Sequence, residues 1–245
     1  MRIGIISGAS SGIGRAIAFE LDKRNLDELW LIGRNTEKLS VLSAELKTKT
    51  QKLVLDLTAK EAFNSISAQL SDGQYEVEYL VPCAGVGYTG SFENSTQSRI
   101  ASTIDLNCRA LSLLISCTLP YIINNGRIIN IASGAGFLPQ ADFAVYAASK
   151  AYVISLSRAI GKELSHRNIT VTAVCPGPVD TDFFKNLENV KEYKKKYLIS
   201  AERVAKGAIK ASDKGKAIYT PTVSMKLLHL GAKILPTSLL LKLTK

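Results

Sequence analysis

Histidine, cysteine and long apolar runs are scarce in this sequence. The two histidines, His166 and His229, are far apart, with no cysteine or acid pair beside either. A metal centre is therefore not expected. The four cysteines, Cys83, Cys108, Cys117 and Cys175, form no Cys-x-x-Cys pair, and all but Cys108 sit in apolar stretches. They read as buried free thiols in a reducing, cytoplasmic compartment. No uninterrupted apolar run reaches the ~18 residues that span a bilayer. The Leu-rich C-terminal tail comes closest, and Lys233, Pro236 and Lys242 break it. No signal-peptide pattern precedes the first strand, because Met1-Arg2 leads straight into Ile3-Gly4-Ile5-Ile6. The Gly-x-Ser-x-Gly pattern of serine hydrolases is missing around Ser133, and no histidine is placed to activate that serine.

What is present is an ordinary globular composition: 245 residues, 46% hydrophobic and 21% charged. That is enough for one large α/β domain and too apolar for bulk disorder. Apolar, β-branched runs recur at residues 3–7, 29–32, 52–55, 79–81, 127–131, 170–174 and 217–219. Helical patterns fall near 12–24, 36–48, 60–70, 96–118, 146–166 and 201–212. Continuous apolar strands alternating with helices predict a doubly wound, Rossmann-type parallel sheet of about seven strands, helices on both faces, in a single domain over 1–245.

The first strand runs into Ser7-Gly8-Ala9-Ser10-Ser11-Gly12-Ile13-Gly14, which opens the first helix. Glycine is needed where backbone turns with positive φ or approaches a phosphate closely. A helix N-terminus beyond it offers free N–H groups to a pyrophosphate. The loop thus predicts a dinucleotide site, with Gly8, Ser10, Ser11, Gly12, Ile13 and Gly14 as its floor. The spacing Gly-x-x-x-Gly-x-Gly resembles the short-chain dehydrogenase/reductase family, with Ser7 where that family usually has threonine. After the second strand comes Gly33-Arg34-Asn35, with no acid. An arginine there suits the 2′-phosphate of NADP(H) rather than the free ribose of NAD(H). Lys38 and Arg15 are secondary candidates. In Leu55-Asp56-Leu57-Thr58, Asp56 matches the family's adenine-contacting acid, with Leu57 beside it.

Tyr146 and Lys150 are four residues apart on a predicted helix, which puts both on one face. A phenol is a poor acid–base catalyst at neutral pH, and a neighbouring ammonium lowers its pKa. The pair alone is weak, but the surrounding motifs extend the resemblance over nearly the whole chain. Ser133 follows the strand at 127–131, Asn107 lies in the long fourth helix, and Pro176-Gly177-Pro178-Val179-Asp180-Thr181 follows the sixth strand. The resemblance implies hydride transfer between NADP(H) and a carbonyl or secondary alcohol. In it Tyr146 moves the proton, Lys150 depresses the tyrosine pKa and binds the nicotinamide ribose, and Ser133 steadies the substrate oxygen. Asn107 holds a water, and Pro176, Gly177, Val179 and Thr181 position the nicotinamide. One departure stands out: Pro82-Cys83-Ala84-Gly85 replaces the family's Asn-Asn-Ala-Gly. Ala84 and Gly85 keep the backbone approach to the cofactor ribose, while Pro82 cannot donate to a ladder and puts the sheet in question there. A cofactor-binding sensor without activity is the alternative, and retention of Ser133, Tyr146 and Lys150 argues against it.

Phe137, Leu138, Phe143, Phe183 and Phe184 flank these motifs, pointing to a lipophilic substrate such as a steroid or 3-oxoacyl chain. Residues 182–200 are the expected substrate loop, and 221–245 an apolar, basic C-terminal extension. The net charge of +10 arises late: residues 1–184 balance 17 basic against 17 acidic, while 185–245 carry 14 basic and 4 acidic. The partners this suits are an anionic membrane surface, an acidic acyl carrier, or another subunit of a homodimer or homotetramer. Too few aromatics interleave the lysines for nucleic-acid binding.

Overall fold

The computed structural model describes residues 1–185, 187, 197–236 and 238. The lysines at 191, 194, 195 and 196, in the expected substrate loop, and the leucine tract at 239–243, in the C-terminal extension, lie outside the described residues.

Within them, seven parallel strands form one sheet. These are β1 (Arg2–Ser7), β2 (Glu28–Gly33), β3 (Lys49–Val54), β4 (Glu76–Val81), β5 (Ile122–Ile131), β6 (Thr170–Val174) and a last strand at Ile218–Tyr219, in the order β3-β2-β1-β4-β5-β6-last. The inner strands are buried on both faces, which is why they read as continuous apolar runs. Alternation sorts their side chains. Ile3, Ile5, Trp30 and Ile32 enter one core with Phe63, Leu114 and Val153. Ile6, Leu29 and Leu31 enter the other with Ile17, Leu39 and Val204. The first core is covered by α3 (Lys60–Asp72), α5 (Leu111–Thr118) and α6 (Ala144–Glu163). The second is covered by α1 (Gly12–Leu21), α2 (Thr36–Glu45) and α8 (Ala201–Asp213).

The fourth predicted helix is real but not uniform. It begins as α4 (Gln97–Ile104), passes through a π-helical stretch at Asp105–Ala110, and continues as α5. The helical run Gln97–Tyr121 is apolar and long enough to cross a membrane by length and composition alone, with a mean hydropathy of 1.3. In the fold it packs against α3, α6 and β4, and it carries Asn107 inward. Strand β5 is longer than expected, running from Ile122. Asn124-Asn125-Gly126, a turn signal in sequence, is instead an irregularity inside the strand, with Asn125 at φ 64° and a register shift opposite Val77 and Tyr79. At Pro82 the ladder continues: β4 ends at Val81, and the Pro82 carbonyl accepts from Ile131 N at 3.3 Å. Proline removes one donor here, and its carbonyl keeps the bond to β5.

Beyond β6, β7 (Val179–Asp180) and β8 (Ile199–Ser200) pair in parallel and pin both ends of the expected substrate loop. That loop opens with α7 (Asp182–Lys185). The sheet's last strand, Ile218–Tyr219, is β9. After it comes α9 (Val223–Ile234), which packs on the turn Gly134–Phe137.

Candidate active site

Strand order reverses between β1 and β4, and the crevice at their C-terminal ends is where such sheets bind nucleotides. The glycine turn sits there. Gly8 and Gly12 adopt φ of +66° and +52°, which side chains rarely tolerate. A Cβ on Gly8 would lie 2.9 Å from the Ala84 backbone, and one on Gly14 only 2.3 Å from the Gly8 carbonyl. Ser7 explains the close approach, because its Oγ accepts from Cys83 N at 3.0 Å and Ala84 N at 3.2 Å. That hydroxyl ties Ala84-Gly85 to the turn, a role the sequence did not reveal. Ser10 packs beside Gly33, and Ile13 packs into the core. Ser11 is the N-cap of α1 but, among the described residues, makes no side-chain cap, and the first turn of α1 has no acid. The leading N–H groups of α1 thus suit an anion, and the cradle fits a dinucleotide pyrophosphate.

At the far end of the crevice, the Arg34 guanidinium is exposed and lies 3.9 Å from the Asp56 carboxylate. Asp56 accepts from the backbone N and hydroxyl of Thr58 at 2.9 and 2.8 Å, and these bonds, with Arg34, hold its pKa below the usual value. Leu57 is buried in the core. The two secondary cations are engaged elsewhere: Lys38 pairs with Asp182 at 3.5 Å, and Arg15 with Glu45. On the opposite wall Val179 is buried, and a Cβ on Gly12 would lie 3.0 Å from the Thr181 methyl. The Pro176 carbonyl accepts from Gly134 N at 2.8 Å, and Gly177 lies against Met225.

The four catalytic candidates converge beside this wall. Ala132 N bonds Val174 O at 2.9 Å, and with the Gly134–Pro176 bond this clamps Ser133 between the ends of β5 and β6. Ser133 Oγ accepts from Ala135 N at 3.1 Å, and Ser133 is the side chain whose interaction with Tyr146 favours the phenolate. Tyr146 is 8% exposed, and Lys150, one turn along α6, is 5% exposed. Lys150 Nζ donates to Ile131 O at 2.9 Å and lies 5.6 Å from the centre of the tyrosine ring. Gly136 lets the serine turn press on α6, for a Cβ there would meet the Lys150 backbone at 2.6 Å.

Electrostatics departs from expectation here. Burial pushes the Tyr146 phenol up to about 12, with only the Ser133 bond opposing it. Burial also pushes Lys150 down to about 8. The expected lowering of Tyr146 by Lys150 is not found: burial dominates both shifts, and neither group figures among the causes of the other's. Cys83 and Cys175, near Lys150, are themselves pushed up to about 12 by burial, and the pull of these thiols on Lys150 opposes its lowering without reversing it.

Asn107, in the π-helical stretch, spends its amide on structure. Its Oδ1 accepts from Val86 N at 2.9 Å, and its Nδ2 donates to Val86 O at 2.8 Å and to Ser149 Oγ at 3.0 Å. Both amide hydrogens are taken, so the side chain could hold a water only through Oδ1. A Cβ on Gly85 would fall 3.1 Å from that oxygen and 3.5 Å from Lys150 Nζ, so glycine keeps the gap between them open.

The five apolar candidates divide. Phe143 stacks on Tyr146 at 4.3 Å, and Phe183 lies 5.5 Å from it on another side. Phe137 instead stacks on His229 of α9 at 4.4 Å, and Leu138 is buried. Phe184 is half-buried on α7. Sequence reasoning missed Met225 and His229, which cover the serine turn, and Tyr88, Phe92 and Arg99, which line a cleft beside Tyr146. Among these, Arg99 sits over the Tyr88 ring at 5.1 Å. The only hint was that Tyr88 and Phe92 are aromatics just after the Ala84-Gly85 segment. Among the described residues the four cysteines are unpaired, but only Cys175 is fully buried, the others being half-buried. Among them also, no cluster of three or more His, Cys, Asp or Glu side chains could hold a metal.

Sheet order, glycine turn and crevice define a doubly wound nucleotide-binding α/β protein. Comparison with known proteins takes this further: residues 2–192 match the family described as short chain dehydrogenase, and the chain belongs to that oxidoreductase family. It is 31% identical over 182 residues to an uncharacterised oxidoreductase of Staphylococcus epidermidis, covering 74% of this chain and 79% of that one. It is 34% identical over 189 residues to the human protein named inactive hydroxysteroid dehydrogenase-like protein 1, covering 74% of this chain and 56% of that one. Among solved structures, a Sphingobium yanoikuyae short-chain dehydrogenase in complex with NADPH superposes with a TM-score of 0.83 at 27% identity, covering 95% of this chain and 93% of that one. A Comamonas testosteroni alcohol dehydrogenase specific for bulky-bulky ketones gives 0.79 at 25% identity, covering 95% and 92%.

Proposed function

We propose that this chain is an NADP(H)-dependent oxidoreductase that interconverts a ketone and a secondary alcohol on a lipophilic substrate, with Tyr146 as general acid and base. The observation that carries the reading is the convergence of Ser133, Tyr146 and Lys150 beside the glycine-turn crevice. Gly8, Gly12 and the start of α1 would hold the pyrophosphate, Arg34 the 2′-phosphate, and Asp56 the adenine. Ala84 and Gly85 would face the ribose, and Val179 and Thr181 the carboxamide. NADP(H) supplies or accepts the hydride when bound. The NADPH complex of the Sphingobium protein, similar over nearly the whole chain, supports that cofactor.

The rest is proton management by this chain. Burial keeps the Tyr146 phenol protonated at neutral pH, which is the form a carbonyl reduction needs. As the ketone oxygen gains negative charge, Ser133 steadies it and Tyr146 donates the proton. Lys150, ionising near 8, then stands one helical turn away to stabilise the tyrosinate left behind. Oxidation of an alcohol runs the same transfers backwards. Phe143 and Phe183 exclude water around Tyr146 and suit an apolar substrate body.

A second reading, cofactor binding without turnover, is favoured by one observation: the human relative is named inactive. Consumption of NADPH across oxo-steroids, 3-oxoacyl thioesters and simple ketones decides between them. Turnover on any class supports the enzyme, and tight NADPH binding with none supports the sensor. A homodimer or homotetramer is part of the proposal. An apolar groove along Phe92, Ile100, Ile104, Val145 and Ala148, with Leu113 and Tyr152 exposed on the same helices, suits a subunit contact.

A further inference from the structure

The helix α9 is apolar on two opposite faces, and among the described residues only one of them packs on the protein. Met225, His229 and the half-buried Leu228 and Ala232 face inward, with Met225 over Gly134 and Gly177 and His229 stacked on Phe137. Val223, Leu227, Leu230 and Ile234 are 69%, 63%, 55% and 69% exposed. At about 100° per residue these four fall within about 60° of arc, on the side opposite Met225 and Ala232. Lys226 and Lys233, both exposed, line one edge of that stripe. The other edge carries Ser224 and Gly231, with no charge.

Charge decides what such a stripe meets. From Lys214 to Lys245 the sequence holds six lysines and not one acidic residue. A second copy meeting this stripe across a two-fold axis would bring lysine edges together with no acid in the segment to answer them. An anionic lipid surface answers them all: an apolar stripe a few ångströms deep with lysines at its rim is the pattern of a helix lying in the plane of a charged interface. We propose that the outer face of α9 docks this protein on anionic membrane surfaces. Because the inner face of the same helix covers the serine turn, docking sets the catalytic crevice next to the bilayer, where an apolar ketone or alcohol is concentrated. The docking itself does not depend on the oxidoreductase reading, and its test needs no turnover.

The test is sedimentation of the full chain with phosphatidylcholine vesicles, with and without phosphatidylserine, at low and high salt. Wild type should bind the phosphatidylserine vesicles, bind the neutral ones much more weakly, and lose affinity as salt rises. Leu227→Glu with Leu230→Glu should abolish binding while thermal unfolding and NADPH affinity stay as in wild type, since neither side chain is buried. Lys226→Ala with Lys233→Ala should weaken binding about fivefold per lysine, an independent check should the glutamates disturb the helix. The proposal is overturned if wild type ignores anionic vesicles, if it binds neutral ones equally, or if the glutamate variant folds and still binds. It is also overturned if wild type fails to bind and the glutamate variant falls to a smaller oligomer, which would assign the stripe to a subunit contact.

Discussion

Lys150 and Tyr146 are both buried, and burial moves their ionisations apart. Lys150 is depressed from 10.5 to about 8, so between these values the unfolded chain binds the extra proton. Stability contributed at this site therefore rises with pH from about 8 to about 10.5. Tyr146 is raised from 10 to about 12, so the native state holds the extra proton there and stability falls with pH over that window. Comparing urea midpoints of wild type and Lys150→Met isolates the lysine. Relative to the mutant, wild type should gain on the order of 3 kcal/mol between pH 8 and 10.5, and a flat difference would contradict the burial argument. Gly85 gives a second residue-level prediction. Gly85→Ala puts a methyl between Asn107 Oδ1 and Lys150 Nζ, so kcat should fall more than tenfold, ~1.4 kcal/mol in barrier, with thermal unfolding little changed; wild-type kcat would show that the gap is idle.

At the scale of elements, α9 is held differently from the sheet-covering helices. It has no fully buried residue among those described, and its start is capped by Thr222 Oγ1, which accepts from Met225 N at 3.3 Å. It belongs to the low-stability end of the molecule. Thr222→Ala should cost about 1 kcal/mol of helix stability, read as faster amide exchange across Val223–Ile234 with exchange in α6 unaltered. Equal slowing or speeding of both helices would mean that α9 unfolds only with the core. The strands and most helices were legible in the sequence because two-sided burial writes itself as uninterrupted Ile, Leu and Val. Less legible were features set by packing at a distance. The π-helical stretch around Asn107 has no local signature, the Asn124-Asn125-Gly126 irregularity imitates a turn, and nothing near Phe137 says that it stacks on a histidine 92 positions later. Motif spacing picks out the proposed catalytic residues, and Ser133, Tyr146 and Lys150 lie together in the fold. The inverted ionisation of Tyr146 and Lys150 is not legible there, because it depends on burial that other strands and helices supply.

For the whole molecule, the uneven charge and the crevice describe one device. The first 184 residues are electrically balanced, and in them Arg34 stands at the open end of the crevice, 3.9 Å from Asp56. Arg34→Ala should raise the Kd for NADPH roughly tenfold to a hundredfold, as lost charge-assisted phosphate contacts do, while leaving NADH nearly unchanged; an unaltered NADPH preference would remove Arg34 from the site. The central claim is that Tyr146 transfers the proton in a hydride-transfer reaction. It is tested most directly by Tyr146→Phe, measured for both NADPH binding and ketone reduction. The account predicts a loss of turnover of roughly 10²–10⁴-fold with NADPH affinity retained, and a mutant that reduces ketones at the wild-type rate would contradict it.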